Sequence, residues 1–281
     1  MTQKIEVESW EAFEAKVAEL DKKQRETRGL QPDLLFRGQA DSAWSLTTTL
    51  QRKMENCHIQ TMSFRKYYRA VYILQNELQA FTEREWPLPG WNKVDKWSME
   101  YDFSHCQPAL WTTIYSYFSY LRHHGFPSPL LDWSRSQYIA AYFAFSAKTP
   151  ADRVSIYVLS KAKRGLGSSN KPCVIDFGPN VKTHRRHFIQ QSEYTMCMVY
   201  KTDTNPNEWY FADHELPFAR EETLNGEPLN FSVHKFDIPA SERTKVLKML
   251  NKHNINAFTL FGSEESLMQT LAMREFDFGA M

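Results

Sequence analysis

Arg37 is the first residue of the chain whose setting asks for chemistry. It follows the apolar run Leu34-Leu35-Phe36 and precedes Gly38 and Gln39. A guanidinium at the end of an apolar strand is costly unless it meets an anion. Its fork can grip a pyrophosphate or a carboxylate through two parallel hydrogen bonds. Gly38, without a Cβ, lets another backbone or a ligand come close. A ligand anion and a structural salt bridge both satisfy this hexapeptide. Two histidine pairs, His123-His124 and His184-x-x-His187, invite comparison with metal sites. Neither has a cysteine or carboxylate at ligand spacing and no HExxH occurs, so no metal is expected. Gly165-Leu-Gly-Ser-Ser-Asn170 lacks the GxGxxG spacing and reads as a hairpin turn between strands. GxSxG, Walker A and kinase signatures are absent.

The chain around these residues has 281 residues, 42% of them hydrophobic and 14% aromatic, a composition of ordered globular protein. With 34 basic and 33 acidic residues the net charge is +1, so no global field draws nucleic acid or membrane. Basic character is local instead: Lys182, Arg185 and Arg186, interleaved with His184 and His187, form the densest basic stretch. The opening MTQKIEVESWEAF has no apolar core ahead of a cleavage site, and no apolar run approaches the ~18 residues of a membrane span. Cys57, Cys106, Cys173 and Cys197 are scattered without a CxxC pair, which fits buried thiols in a reducing compartment. The expectation is a cytoplasmic protein with no membrane partner.

Periodicity supplies the elements that must position the candidates. Trp10, Phe13, Val17 and Leu20 recur at helical spacing behind a capping Ser9, with Gly29 as the stop. Leu34 to Phe36 is a short buried strand that delivers Arg37 and Gly38 at its end. Phe64, Tyr68, Val71, Leu74, Leu78 and Phe81 predict one long amphipathic helix. Trp86 to Trp91 is a rigid aromatic loop, and helices follow over Trp111 to Arg122 and Ser136 to Ala147. Beyond these the pattern shifts to strands at Val154–Leu159, Cys173–Asp176, Tyr194–Val199, Trp209–Ala212 and Leu229–Ile238. Helices return at Ser241–Asn251 and Ser263–Met273. A helix-rich first half and a strand-rich second half with no linker between them predict one α+β domain over residues 1–281.

Leu34 to Arg52, LLFRGQADSAWSLTTTLQR, resembles the opening of the FRG domain family, named for its (F/Y)RG motif. His123 to Ser134, HHGFPSPLLDWS, is similar to that family's H-x-G-x-P-T-R-L-L-D-W-T, with Pro129 where the family carries arginine. Gln190 to Thr195, QQSEYT, resembles its Q-x-G-x-F-T, with Ser192 in place of glycine, and Ala257 to Phe261 resembles its closing segment. The ordered motifs span a core of about 34–271, after an N-terminal helix over 1–29.

The resemblance implies a fold like that of the ADP-ribosyltransferases. It implies an NAD substrate held by Arg37, Gly38, Gln39, His123, Trp133 and Ser134, and catalysis by Glu193 with Gln191. Breaking the bond between ribose and nicotinamide develops an oxocarbenium-like cation that a carboxylate can stabilise. Under this reading Ser134 supports the Glu193 carboxylate. Gln191, two residues earlier on an extended chain, shares the face of Glu193 and contacts the acceptor. Gln190 and the basic Lys182, Arg185 and Arg186 then face a polyanionic acceptor, RNA ahead of protein. By family analogy the activity is that of a toxin or defence effector with an antitoxin-like partner. An NAD glycohydrolase and a non-catalytic RNA- or protein-binding module are the alternatives.

Overall fold

The computed structural model describes residues 2–28, 34–100, 108–160, 170–178, 181, 183, 185–219, 223–224, 227–228 and 232–279. Gly29, Leu229, Lys182, His184 and the turn from Gly165 to Ser169 lie outside them.

The strands are β1 (Gln3–Glu6), β2 (Leu34–Gln39), β3 (Leu130–Ser134), β4 (Arg153–Ser160), β5 (Cys173–Asp176), β6 (Ser192–Lys201), β7 (Glu208–Phe211), β8 (Thr223–Leu224), β9 (Glu227–Pro228) and β10 (Ser232–Pro239). The helices are α1 (Trp10–Arg28), α2 (Thr49–Asn56), α3 (Phe64–Ile73), α4 (Gln75–Thr82), α5 (Trp91–Ser98), α6 (Pro108–His123), α7 (Gln137–Phe145), α8 (Arg185–Ile189), α9 (Arg243–Lys252), α10 (Ala257–Phe261) and α11 (Glu264–Ala272). One mixed sheet runs in the order β1-β10-β4-β2-β3-β6-β5, with β7 on the far half of β6. Its pairings are antiparallel except β1 with β10. Strands of both halves of the chain therefore alternate in one sheet, and the mixed α and β class expected from sequence is what the chain forms.

The two faces of the sheet are covered differently. On one face lie two helical cores. Leu34, Phe36, Ile156 and Val158 pack beneath α1, α7 and α9. Leu130, Tyr194, Met196 and Met198 pack beneath α3, α5 and α6. The opposite face carries a smaller cluster of Leu35, Leu131, Trp133, Tyr157 and Leu159, covered by Leu46 and Phe218 from loops. The alternation of β2 produces this division, because successive side chains point to opposite faces.

Several expected elements differ. The helix over Phe64 to Phe81 is broken at Leu74 into α3 and α4, and Phe81 stands exposed. The aromatic loop ends by starting α5 at Trp91. β1 and α2 are additional, the latter closed by a capping box in which Thr48 and Gln51 satisfy each other's backbone amides. Cys197 is buried as expected, but Cys57 is exposed.

Candidate active site

β2 extends through Gln39, so Arg37 sits within the strand and not at its end. Its neighbours follow from register. Arg37 pairs with Tyr157 of β4, and Phe36 pairs with Ser134 of β3. Trp133 pairs with Glu193 of β6. Arg37, one residue past the single β2–β3 pair, therefore lies on the same loop-covered face as the paired Trp133 and Glu193, across the place where the two strands part.

Beyond Phe36 and Ser134 no ladder joins β2 to β3. Arg37 fills the opening by donating from Nη1 to the Asp132 carbonyl at 2.7 Å. Its Nε is buried with no hydrogen-bond partner among the described residues. Burial lowers its pKa to about 10, with Arg122 and Arg52 adding to the fall and Asp132 opposing it, so the guanidinium stays charged at neutral pH.

Other buried polar atoms on this face are also unsatisfied. Gln39 donates from Nε2 to the Ser45 carbonyl at 3.0 Å and leaves Oε1 without a partner. His214 donates from Nε2 to the Thr195 carbonyl at 3.3 Å, which leaves its buried Nδ1 as an unpaired acceptor. Burial brings the His214 pKa down to about 3; the Thr195 carbonyl opposes that shift and the charge of Arg37 reinforces it. The imidazole is therefore neutral. A buried donor and two buried acceptors without partners, two of them on β2 and the third in the segment after β7, are an exception to the rule that interior polar groups are paired. His214 went unseen in the sequence; the polar run Asp213-His214-Glu215 after β7 was the signal available.

Glu193 is 3% exposed. Its Oε1 lies 3.9 Å from Nε of Arg135, a side chain itself 52% exposed. Arg135 also lines a hollow with Leu34, Phe36 and Gln137 against α1, on the helical side of the sheet. Trp133, between Arg37 and Glu193, is fixed by a 2.8 Å hydrogen bond from its indole to Thr195 Oγ1.

The remaining expected residues are placed elsewhere. A Cβ on Gly38 would lie 1.9 Å from the Ala140 carbonyl oxygen and 2.6 Å from the Ala144 nitrogen. Gly38 therefore admits the backbone of α7. Ser134 faces the helical side with Ser192, and its hydroxyl donates to the Gln190 carbonyl at 2.8 Å, so it does not support Glu193. Gln191 is exposed at φ 47°, in a left-handed turn ahead of β6, so it is not on an extended chain beside Glu193. His123 lies behind the sheet, 2.6 Å from the Tyr194 hydroxyl, and Tyr194 stacks on buried His187. Gln190 donates to the Leu260 carbonyl, docking α10. Arg186 lies over the Phe261 ring, whereas Arg185 is exposed.

Among the described residues no helix is long and apolar enough to cross a membrane, and no group of three or more His, Cys, Asp or Glu side chains could hold a metal. No curated protein and no solved structure matches the chain. Residues 32–153, which contribute Arg37, Trp133 and the gap between their strands, match the model of the FRG domain, and Glu193 lies beyond the matched residues.

Proposed function

We propose that this chain is an enzyme that transfers ADP-ribose from NAD to a macromolecular acceptor. The observation that carries the reading is that Arg37 of β2 and Glu193 of β6 share the loop-covered face, with Trp133 of β3, the partner of Glu193, on the strand between them. In the proposed reaction nicotinamide leaves with the electrons of its bond to the ribose. The acceptor forms the new bond at that carbon and loses a proton. Glu193 stabilises the cation between these events, an electrostatic role suited to a buried carboxylate. Trp133, buried beneath Leu46 and Phe218, fixes the strand between the two charged residues, and Arg37 anchors the pyrophosphate. Arg135 is exposed enough to swing away, which would open the carboxylate to substrate.

A nucleic acid, RNA in first place, is the acceptor we favour. Arg185 and Phe188 are both exposed and stand three residues apart on α8, immediately before β6. A cation beside an exposed aromatic ring suits a phosphate backbone with a base stacked on the ring. Incubating cell extract with tagged NAD and the protein tests the reading. Label removed by nuclease supports an RNA or DNA acceptor, and label removed by protease replaces it with a protein. Nicotinamide release without label makes the chain a glycohydrolase. No release by the pure protein or in extract refutes the enzymatic reading.

A further inference from the structure

Three arginines from three elements lie around the place where the β2–β3 ladder opens, near enough that the charges of Arg122 and Arg52 act on Arg37. Arg37 enters the opening from β2 and donates to the Asp132 carbonyl. Arg122, in the last turn of α6, grips the Asp132 carboxylate through Nε at 3.1 Å and Nη2 at 2.8 Å. The Nη1 of the same arginine donates to Thr49 Oγ1 at 2.9 Å, which ties α6 to α2. Arg52 stands three residues after Thr49 on α2, and positions three apart share a helix face. That puts Arg52 on the face of α2 that carries the Arg122 contact. Its side chain is exposed and makes no ion pair among the described residues.

One carboxylate serves this group, and it is committed. Arg122 draws on both Asp132 oxygens, and Asp132 lies below the ordinary carboxylate pKa. Burial works to raise it, but the Arg122 charge and hydrogen bonds, with Arg37 and His123, more than offset that. Arg37 and Arg52 make no ion pair among the described residues. Crowding guanidiniums is unfavourable unless an anion joins them. The Asp132 side chain is 39% exposed, so the group opens to solvent. Arg37 brings a buried Nε with no partner to the same place.

We infer that Arg37, Arg52 and Arg122 form a binding site for a phosphorylated ligand, with the diphosphate of a dinucleotide as its first occupant. Arg52 closes the site from the solvent side, Arg37 forms its floor, and Arg122 holds the two strands and α2 at the right spacing. The choice of a dinucleotide rests on the NAD reading above; the anion site itself does not.

Calorimetric titration with inorganic pyrophosphate and with ADP-ribose tests it, on wild type, Arg52→Ala and Arg52→Lys. Arg52 is exposed, so equal melting temperatures are expected and confirm folding. Wild type should bind pyrophosphate, and Arg52→Ala should weaken binding about tenfold or more, as loss of a charge-assisted hydrogen bond does. Arg52→Lys should recover only part, because lysine lacks the planar fork. Equal affinity in wild type and Arg52→Ala, or no pyrophosphate binding by wild type, overturns the site. Pyrophosphate binding without tighter binding of ADP-ribose overturns the dinucleotide as occupant. Retained pyrophosphate binding with no NAD cleavage refutes the enzymatic reading alone, so the two failures are distinguishable.

Discussion

At the scale of single residues, Glu193 and His214 make the sharpest claims. Glu193→Gln keeps the shape of the side chain and removes the charge, and its partner Arg135 is exposed enough to be solvated when left alone. The variant should fold and bind ADP-ribose while nicotinamide release falls by at least roughly 100-fold, the usual scale for a transition-state electrostatic contact. A wild-type release rate would place the carboxylate elsewhere. His214 supplies a claim about pH. Its folded pKa is about 3, against an ordinary value of 6.5 in the unfolded chain. Between these values the unfolded state binds the extra proton, so stability falls as pH drops through that window. The contribution is complete above the unfolded value and shrinks by up to about 2 kcal/mol by pH 5. Denaturant midpoints at pH 7 and pH 5 should separate for wild type, and His214→Gln should narrow the separation. An unchanged separation would show that His214 is not the titrating group.

At the scale of elements, β2 explains both what was legible in sequence and what was not. Its apolar run announced a buried strand, and its arginine and glycine announced a special position. The sequence could not say which face each residue would take, since that depends on partners across the sheet. Gly38 is the clearest case: the space it leaves is taken by α7, about a hundred residues away. The Ser134 expectation failed for a related reason. Ser134 is one residue beyond Trp133, and one step along a strand reverses the face. Gln191 failed because a left-handed turn precedes β6 where an extended chain was assumed. The apolar stripes of α1 and α9 were read well, whereas the stripe from Phe64 to Phe81 breaks at Leu74 and short helices such as α2 were missed. Gly38→Ala should destabilise the chain by about 3 kcal/mol or more, because overpacking against backbone has no rotamer to relieve it. A denaturant midpoint within error of wild type would show that α7 can retreat freely.

At the scale of the whole molecule, the two helical cores share one sheet and meet along the β2–β3 seam. The change from helix-rich to strand-rich sequence suggested one domain without showing how the halves combine. In the structure, β2 lies between β4 and β3, so neither core closes without strands from both parts of the chain. Unfolding should therefore be a single transition. Near-ultraviolet circular dichroism reports the aromatic-rich core of Trp86, Tyr117 and Phe118, and far-ultraviolet signal reports backbone throughout. Their denaturant curves should coincide. Two separated transitions would mean that the seam is a boundary between independent units.

The closeness of α7 to Gly38 also bears on heredity. The atoms that a Cβ at position 38 would strike are the carbonyl oxygen and carbon of Ala140 and the nitrogen of Ala144. All belong to the main chain, so every amino acid at 140 or 144 presents the same obstruction. A genetic selection for restored activity in Gly38→Ala should return codons that encode glycine again. Compensating changes within α7 should be absent from the survivors, since no side chain there is available to yield.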